Sequence, residues 1–173
     1  MKLELRLTIM SFLQFFIWGA WLITVANYWF LTKGWSGAQF GAIFSTLGLS
    51  SIFMPALTGI VADRWLNAER LYGILHILGG IALAYIPQVN DPDTFYWVIF
   101  GAMLCYMPTI SLSNSIAYTI LKNAGKDVVT VFPPIRVWGT VGFIVAMWVT
   151  NLTGNKASAM QFYFAATYAI ILG

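Results

Sequence analysis

Long uncharged stretches dominate this sequence and constrain its fold more than any other feature. No Asp, Glu, Lys, Arg or His occurs in residues 7–32, 34–62 or 94–121, and residues 71–90 contain only His76. A helix needs about 20 apolar residues to cross roughly 30 Å of bilayer hydrocarbon. Each stretch is long enough, so the chain is predicted to be an all-α, polytopic membrane protein.

The composition supports a membrane protein and argues against other classes. Apolar residues make up 60% of the chain and charged residues 9%, whereas a soluble domain carries about 25% charged residues. The net charge of +3 is therefore better explained by loop orientation than by nucleic-acid binding. With Cys105 as the sole cysteine, an internal disulfide and a Cys-based metal site are excluded. No cofactor is expected.

Turn residues between the apolar stretches divide the chain into predicted spans, with Asn90–Asp93 and Pro133-Pro134 as the strongest signals. The six predicted helices cover about 8–31, 38–61, 71–89, 95–119, 133–151 and 159 to the end. The last one, Ala159–Gly173, extends only about 22 Å at about 1.5 Å per residue, which is short of the membrane thickness. Residues 1–173 are thus expected to form the six-helix N-terminal half of a longer transporter, with a truncated sixth helix and an absent C-terminal half.

Basic residues are distributed unequally between the two sets of predicted loops. Six lie at the N-terminus and in the second-to-third and fourth-to-fifth loops: Lys2, Arg6, Arg64, Arg70, Lys122 and Lys126. The opposite side holds two, Lys33 and Lys156. Since cytoplasmic loops are enriched in Lys and Arg, the N-terminus is predicted to be cytoplasmic.

The predicted fifth helix carries the most informative pattern. Arg136, Thr140 and Phe143 share one helical face by their spacing, and Gly139, Gly142 and Ala146 form a second, smooth face suited to close helix packing. Arg136 is also the sole strong charge inside a predicted span. Such a residue indicates a functional site, unless it extends to the headgroups from a position near the membrane boundary.

The predicted first helix has a similar stripe, formed by Gln14, Trp18, Trp21, Val25 and Tyr28. Aromatic planes can stack on a flat ring, and the Gln14 amide can both donate and accept hydrogen bonds. Gln14 and Trp18 are therefore candidate substrate contacts. The alternative is that this stripe is ordinary membrane-helix packing, because Trp and Tyr are common in such helices.

An enzymatic function is not supported by the sequence. The chain has no paired carboxylates within a span and no metal-spaced cluster, and His76 and Cys105 fall on different predicted helices. His76 could relay protons, but a single imidazole without a recognisable partner is equally explained as a structural residue.

The segment between the second and third spans contains Gly59, Asp63 and Arg64 in the pattern G-x-x-x-D-R. This resembles the loop signature of the major facilitator superfamily. A carboxylate at a helix end can bind a nearby helix N-terminus or a basic side chain. Such a contact can hold one conformer of an alternating-access transporter, so these three residues are predicted to act in conformational gating.

Longer segments give a more specific resemblance, to the nucleoside:proton symporter family within that superfamily. The matching segments are SFLQFFIWGAWL at 11–22, FMPALTGIVADRWL at 53–66, NAGKDVVT at 123–130 and FPPIRVWGTVGFIVAMW at 132–148. The likeness extends along essentially the whole chain. It implies that Arg136, Thr140 and Phe143 contact the substrate, since the fifth helix of that family does so.

The resemblance also implies a function: proton-driven uptake of nucleosides across the bacterial inner membrane by alternating access between two six-helix halves. The expected partners are nucleosides, protons, the bilayer and the absent C-terminal half. No predicted span contains Asp or Glu, so the proton-binding carboxylate is expected in that other half, and this chain alone is not expected to transport. Two alternatives stay open: a permease for another polar solute such as a sugar, and a non-transporting membrane subunit or receptor.

Overall fold

The computed structural model describes residues 2–173, which form helices and connecting turns without a β-strand. The helices are α1 (Leu3–Gly19), α2 (Val25–Asn27), α3 (Gly37–Arg64), α4 (Ala68–Tyr85), α5 (Pro92–Asn123), α6 (Val128–Leu152) and α7 (Met160–Leu172). A π-helical turn, Tyr28–Thr32, continues α2, and a 3-10 turn, Ile86–Gln88, continues α4. Within the described residues, four helices are long and apolar enough to cross a membrane: α3, α4 with its 3-10 turn, α5 and α6.

The first predicted span is interrupted, so the prediction of one continuous helix over 8–31 is wrong. The carbonyl oxygen of Ala20 accepts a hydrogen bond from the Thr150 hydroxyl of α6, at 3.0 Å. The Thr24 hydroxyl lies 3.0 Å from Oε1 of Gln161 in α7 and donates to it. Side chains from other helices thus bind the polar groups at the break, which is a common physical cause of helix distortion.

Helix α6 begins earlier than predicted, and Pro133-Pro134 lie inside it rather than in its first turn. The cause is the residue before the helix. The Asp127 carboxylate accepts hydrogen bonds from the Thr130 hydroxyl and, at 3.2 Å, from the backbone N–H of Val129. These bonds cap the helix N-terminus and hold the pKa of Asp127 below its ordinary value.

Acidic residues occupy helix ends rather than the middle of the apolar segments. Asp91 caps α5 by accepting from the backbone N–H of Thr94 at 2.8 Å, and this bond lowers the pKa of Asp91. Glu69 and Asp93 lie in the first turns of α4 and α5, where a negative charge stabilises the helix dipole. Asp63 lies in the last turn of α3, not in a loop as predicted.

An aromatic core joins the broken first span to α5 and α7. Tyr28, Trp29, Phe95 and Phe162 are almost completely buried. The rings of Trp29 and Phe95 lie 5.4 Å apart and those of Tyr28 and Phe162 lie 5.1 Å apart, both edge to face. Such pairs add to the stabilisation from burial alone. Trp21, Val25 and Tyr28 of the predicted stripe therefore belong to the helix-packing core.

Helices α1 and α6 pack with their backbones in close approach. A side chain on Gly142 would overlap the carbonyl oxygen of Phe12, and one on Gly19 would overlap that of Phe143. Gly139, Gly142 and Ala146 are all buried in α6, so the packing face predicted from their spacing is confirmed. The close approach places the Arg136 side of α6 directly beside Ser11 and Phe15 of α1.

Candidate functional site

Arg136 lies against the aromatic face of Phe15 in the neighbouring helix α1. Its Cζ atom is 4.0 Å from the centre of the Phe15 ring, a distance at which a cation and a π system attract each other. Between residues 2 and 173 no carboxylate forms a salt bridge with Arg136, and no protein acceptor binds its guanidinium donors. The charged group is therefore placed by packing, and its N–H groups stay available.

Thr140 and Phe143 follow Arg136 along the same helix. Thr140 is exposed and Phe143 is half-buried. The Phe143 ring meets the ring of Trp18 in α1 edge to face, with centroids 6.1 Å apart and planes at 85°. The structure thus brings four predicted site residues, Arg136, Thr140, Phe143 and Trp18, to the α1–α6 pair.

Trp18 has one further property that bears on ligand binding. Its indole nitrogen is buried, and no group among residues 2–173 accepts a hydrogen bond from it. The indole also packs on Tyr106, with ring centroids 5.9 Å apart. Trp18 is consequently fixed by aromatic packing while its N–H donor is left without a protein acceptor.

A small, mostly apolar cavity beside Arg136 lies between α1, α5 and α6. Its walls include Ser11, Ser113, Asn114 and Arg136. The hydroxyl of Ser113 donates to the carbonyl of Ile110 in its own helix, whereas the buried hydroxyl oxygen of Ser11 has no partner in the described part of the chain. The side chains of Ser11, Ser113 and Asn114 therefore place polar groups near Arg136 within the helix interface.

Gln14 of α1 is completely buried, and its amide binds side chains of α4 and α5. Its Nε2 donates to the Thr109 hydroxyl at 2.8 Å, and its Oε1 accepts from the Tyr72 hydroxyl at 2.7 Å. The Tyr106 hydroxyl donates to the Gln14 carbonyl at 2.5 Å. Neither tyrosine was predicted as a partner of Gln14, because nothing in the local sequence indicates which distant hydroxyl reaches it.

His76 lies in the same interhelical region. It is buried, with Nδ1 3.1 Å from the carbonyl oxygen of Tyr72 in the preceding turn. That contact requires Nδ1 to carry the proton, which leaves Nε2 as an acceptor. Nε2 has no partner within residues 2–173. The ring packs on the Tyr72 ring with centroids 4.3 Å apart, so His76 supports the residue that binds Gln14.

The predicted gating residues lie apart from this site, at the end of α3. Asp63 and Arg64 are exposed in the last helical turn. Neither forms a salt bridge with another of the residues that the structure describes. A side chain at Gly59 would meet open space, with no atom within 4 Å, so close packing does not require glycine there.

Comparison with known proteins identifies the family to which this arrangement belongs. A family model described as Nucleoside H+ symporter matches residues 1–173. The chain belongs to this family. It is 51% identical to the nucleoside permease NupG and 47% identical to the xanthosine permease, both from Escherichia coli (strain K12), over 99% of its length. The predicted membership of the nucleoside:proton symporter family is confirmed.

The fold agrees with this membership. A crystal structure of the nucleoside transporter NupG superimposes with a TM-score of 0.96 over 99% of this chain, at 51% sequence identity. The predicted all-α, multi-pass membrane fold of the major facilitator superfamily is thereby confirmed. The chain spans 41% of the length of each of the two permeases and 42% of the crystallised transporter.

Proposed function

We propose that this chain is the N-terminal six-helix half of a proton-coupled nucleoside transporter of the bacterial inner membrane, with its N-terminus in the cytoplasm. Arg136, Thr140, Phe143 and Trp18 supply this half's contacts to the nucleoside. The companion C-terminal half completes the site, and the two halves alternate access to it. The membrane-spanning fold and the names of the relatives, two permeases and a nucleoside transporter, support this proposal.

The single observation that carries the proposal is the state of the Arg136 guanidinium. The group has a planar fork of N–H donors, is packed on Phe15, and has no protein acceptor within residues 2–173. A charged side chain inside the membrane is energetically costly, so its presence there indicates a functional role. The carbonyl and hydroxyl oxygens of a nucleoside are suitable acceptors for these donors.

The neighbouring residues fit the other parts of a nucleoside. Thr140 presents an exposed hydroxyl one turn beyond Arg136. Phe143 and Trp18 present two aromatic rings at 85° to each other, which can pack against a flat base. Together these groups provide one charged donor, one neutral hydroxyl and an aromatic wall.

Proton coupling is assigned to the companion half. The acidic residues of this chain lie at helix ends, as Asp63, Glu69, Asp91 and Asp93 illustrate. A carboxylate that binds a transported proton has to lie near the central cavity. We therefore place it outside residues 1–173, where the rest of the nucleoside site also lies.

Calorimetric titration of uridine into the purified complete transporter tests the role of Arg136. Lysine keeps the charge of Arg136 but loses the forked donor geometry. Arg136→Lys is expected to weaken uridine binding by roughly ten- to a hundred-fold, because a charge-assisted hydrogen bond contributes about 1.5–3 kcal/mol. Arg70→Lys, a change at an exposed residue of α4, is the matched control and is expected to bind normally.

Three results would contradict the proposal. Near-wild-type affinity of the Arg136→Lys variant would mean that the side chain only reaches the headgroups, as lysine also can. Uptake of labelled uridine that is inhibited by sugars and not by other nucleosides would instead favour a sugar permease. Absence of any substrate-dependent uptake would favour a non-transporting subunit or receptor.

A further inference from the structure

The Phe15 ring provides a fixed packing surface for the Arg136 guanidinium. Phe15 as a residue is 9% exposed, and the centre of its ring lies 4.0 Å from Cζ of Arg136. Arginine side chains are long and flexible, and ordering one for ligand binding costs conformational entropy. A fixed ring face beneath the guanidinium reduces that cost before the ligand arrives.

Gly139 makes this contact between Arg136 and Phe15 possible because it lacks a side chain. A Cβ atom at this position would lie 2.7 Å from Nη1 of Arg136, 2.7 Å from Cδ2 of Phe15 and 3.1 Å from the Ser11 hydroxyl oxygen. The first two separations are shorter than any normal van der Waals contact. The guanidinium and the ring therefore occupy the space that any other residue at position 139 would fill.

The role of Gly139 differs from that of Gly142 in the same helix. A side chain at Gly142 would overlap the backbone of Phe12, so that glycine allows the two helices to approach. At Gly139 the nearest atoms belong to the side chains of Arg136, Phe15 and Ser11. Glycine is unfavourable inside a helix, and at position 139 it leaves room both for the packing of α1 side chains and for the Arg136 guanidinium.

We infer that Phe15 and Gly139 are positioning residues for substrate binding: they hold the Arg136 guanidinium in place, and they set the affinity of the transporter without touching the nucleoside. This inference rests on the proposed function, because it assumes that Arg136 binds the substrate. It adds two residues that act through Arg136; Phe15 also lies near Trp18, with ring centroids 6.5 Å apart, and the comparison in an Arg136→Gln background separates the two routes.

The first test compares two neighbouring phenylalanines by uridine titration of the complete transporter. Phe15→Leu removes the ring under Arg136 and is expected to weaken binding about 3- to 30-fold, the range between an exposed and a desolvated cation–π contact. Phe16→Leu is the matched control: Phe16 is also buried, but its ring packs on Tyr168 with centroids 4.5 Å apart. The control is expected to bind uridine normally, and Phe15→Tyr, which keeps a ring, is expected to restore binding.

The second test uses glycine positions and does not depend on the folding of Phe15→Leu. Gly139→Ala is expected to displace the guanidinium and to reduce uridine affinity by as much as Phe15→Leu does. Gly101→Ala is the control, because a Cβ atom at Gly101 meets nothing within 4 Å. Melting temperatures of all variants are measured in parallel, so that a loss of affinity in folded protein is separated from unfolding.

The third test is whether Phe15 acts through Arg136. In an Arg136→Gln background, Phe15→Leu is expected to cause no further loss of affinity, because the group that it positions is absent. Equal losses in both backgrounds, or equal losses for Phe15→Leu and Phe16→Leu, would overturn the inference alone. Wild-type transporter that binds no uridine would overturn the proposed function, and the inference with it.

Discussion

The hydroxyl of Tyr72 in α4 donates a hydrogen bond of 2.7 Å to Oε1 of Gln14 in α1. Both residues are buried, so the bond joins two helices away from water. Tyr72→Phe is expected to lower the free energy of unfolding by about 0.5–2 kcal/mol, as measured for interhelical hydrogen bonds in membrane proteins. The measurement is thermal unfolding of the complete transporter in detergent.

Tyr85→Phe is the control for this prediction, because Tyr85 lies in the same helix and is exposed. It is expected to unfold at the wild-type temperature. A Gln14→Leu, Tyr72→Phe double variant should lose less than the sum of the two single changes, since both remove the same bond. Strict additivity would show that the Gln14–Tyr72 bond contributes nothing to stability.

Two threonines of α6 are predicted to separate stability from binding. Thr150 is buried and donates to the Ala20 carbonyl at the break in the first span, so Thr150→Val should lower the free energy of unfolding by about 0.5–1.5 kcal/mol. Thr140 is exposed, and Thr140→Val should leave the melting temperature unchanged while weakening uridine binding about 2- to 10-fold. Weaker uridine binding by Thr150→Val at normal stability, together with a lower melting temperature of Thr140→Val at normal affinity, would contradict the proposed site.

The proposed orientation can be tested with an impermeant thiol reagent in intact cells. Asn67 precedes α4 and Asn90 follows its 3-10 turn, so the two residues lie at opposite ends of this span. Both are exposed, and neither caps a helix through its side chain. In a Cys105→Ser background, Asn90→Cys is expected to be labelled and Asn67→Cys to be protected until the membrane is opened. Labelling of Asn67→Cys in closed cells would refute the cytoplasmic N-terminus.

Asp63 is predicted to affect turnover and not affinity. It is exposed at the end of α3, without a salt bridge among residues 2–173. Helix α3 packs mainly on α5 and also on α4, whereas Arg136 lies in α6. Asp63→Asn in the complete transporter is expected to slow uridine exchange while the equilibrium affinity stays within about threefold. Asp93→Asn, which alters an exposed hydrogen bond to Gln39, is the control, and loss of binding by folded Asp63→Asn protein would contradict the gating role.

The fold was predictable from the sequence where single-residue patterns report on the environment. The uncharged stretches indicate the membrane spans because few other structures can hold so many apolar residues in sequence. The small face of α6 was predictable for a similar reason: Gly139, Gly142 and Ala146 recur at helical spacing, and close helix packing needs small residues.

The features that could not be predicted depend on contacts between distant residues. Thr150 donates a hydrogen bond to the Ala20 carbonyl at the break in the first span. Gln14 binds Thr109, which is 95 positions away. Local sequence does not say which hydroxyl will reach which carbonyl. The same limit applies to Phe15, whose closeness to Arg136 follows from the packing of α1 on α6 and from no pattern within either helix.

The glycine contacts between α1 and α6 have a mechanical consequence. With the backbone of Phe12 against Gly142 and that of Phe143 against Gly19, the two helices meet at these two points without a side chain between them. Any tilt of α6 must carry α1 along, and Phe15 and Trp18 then travel together with Arg136 and Phe143. The proposed substrate contacts of this chain are thus expected to move as one rigid block, so that a conformational change alters their distance to the proposed companion half and not to each other.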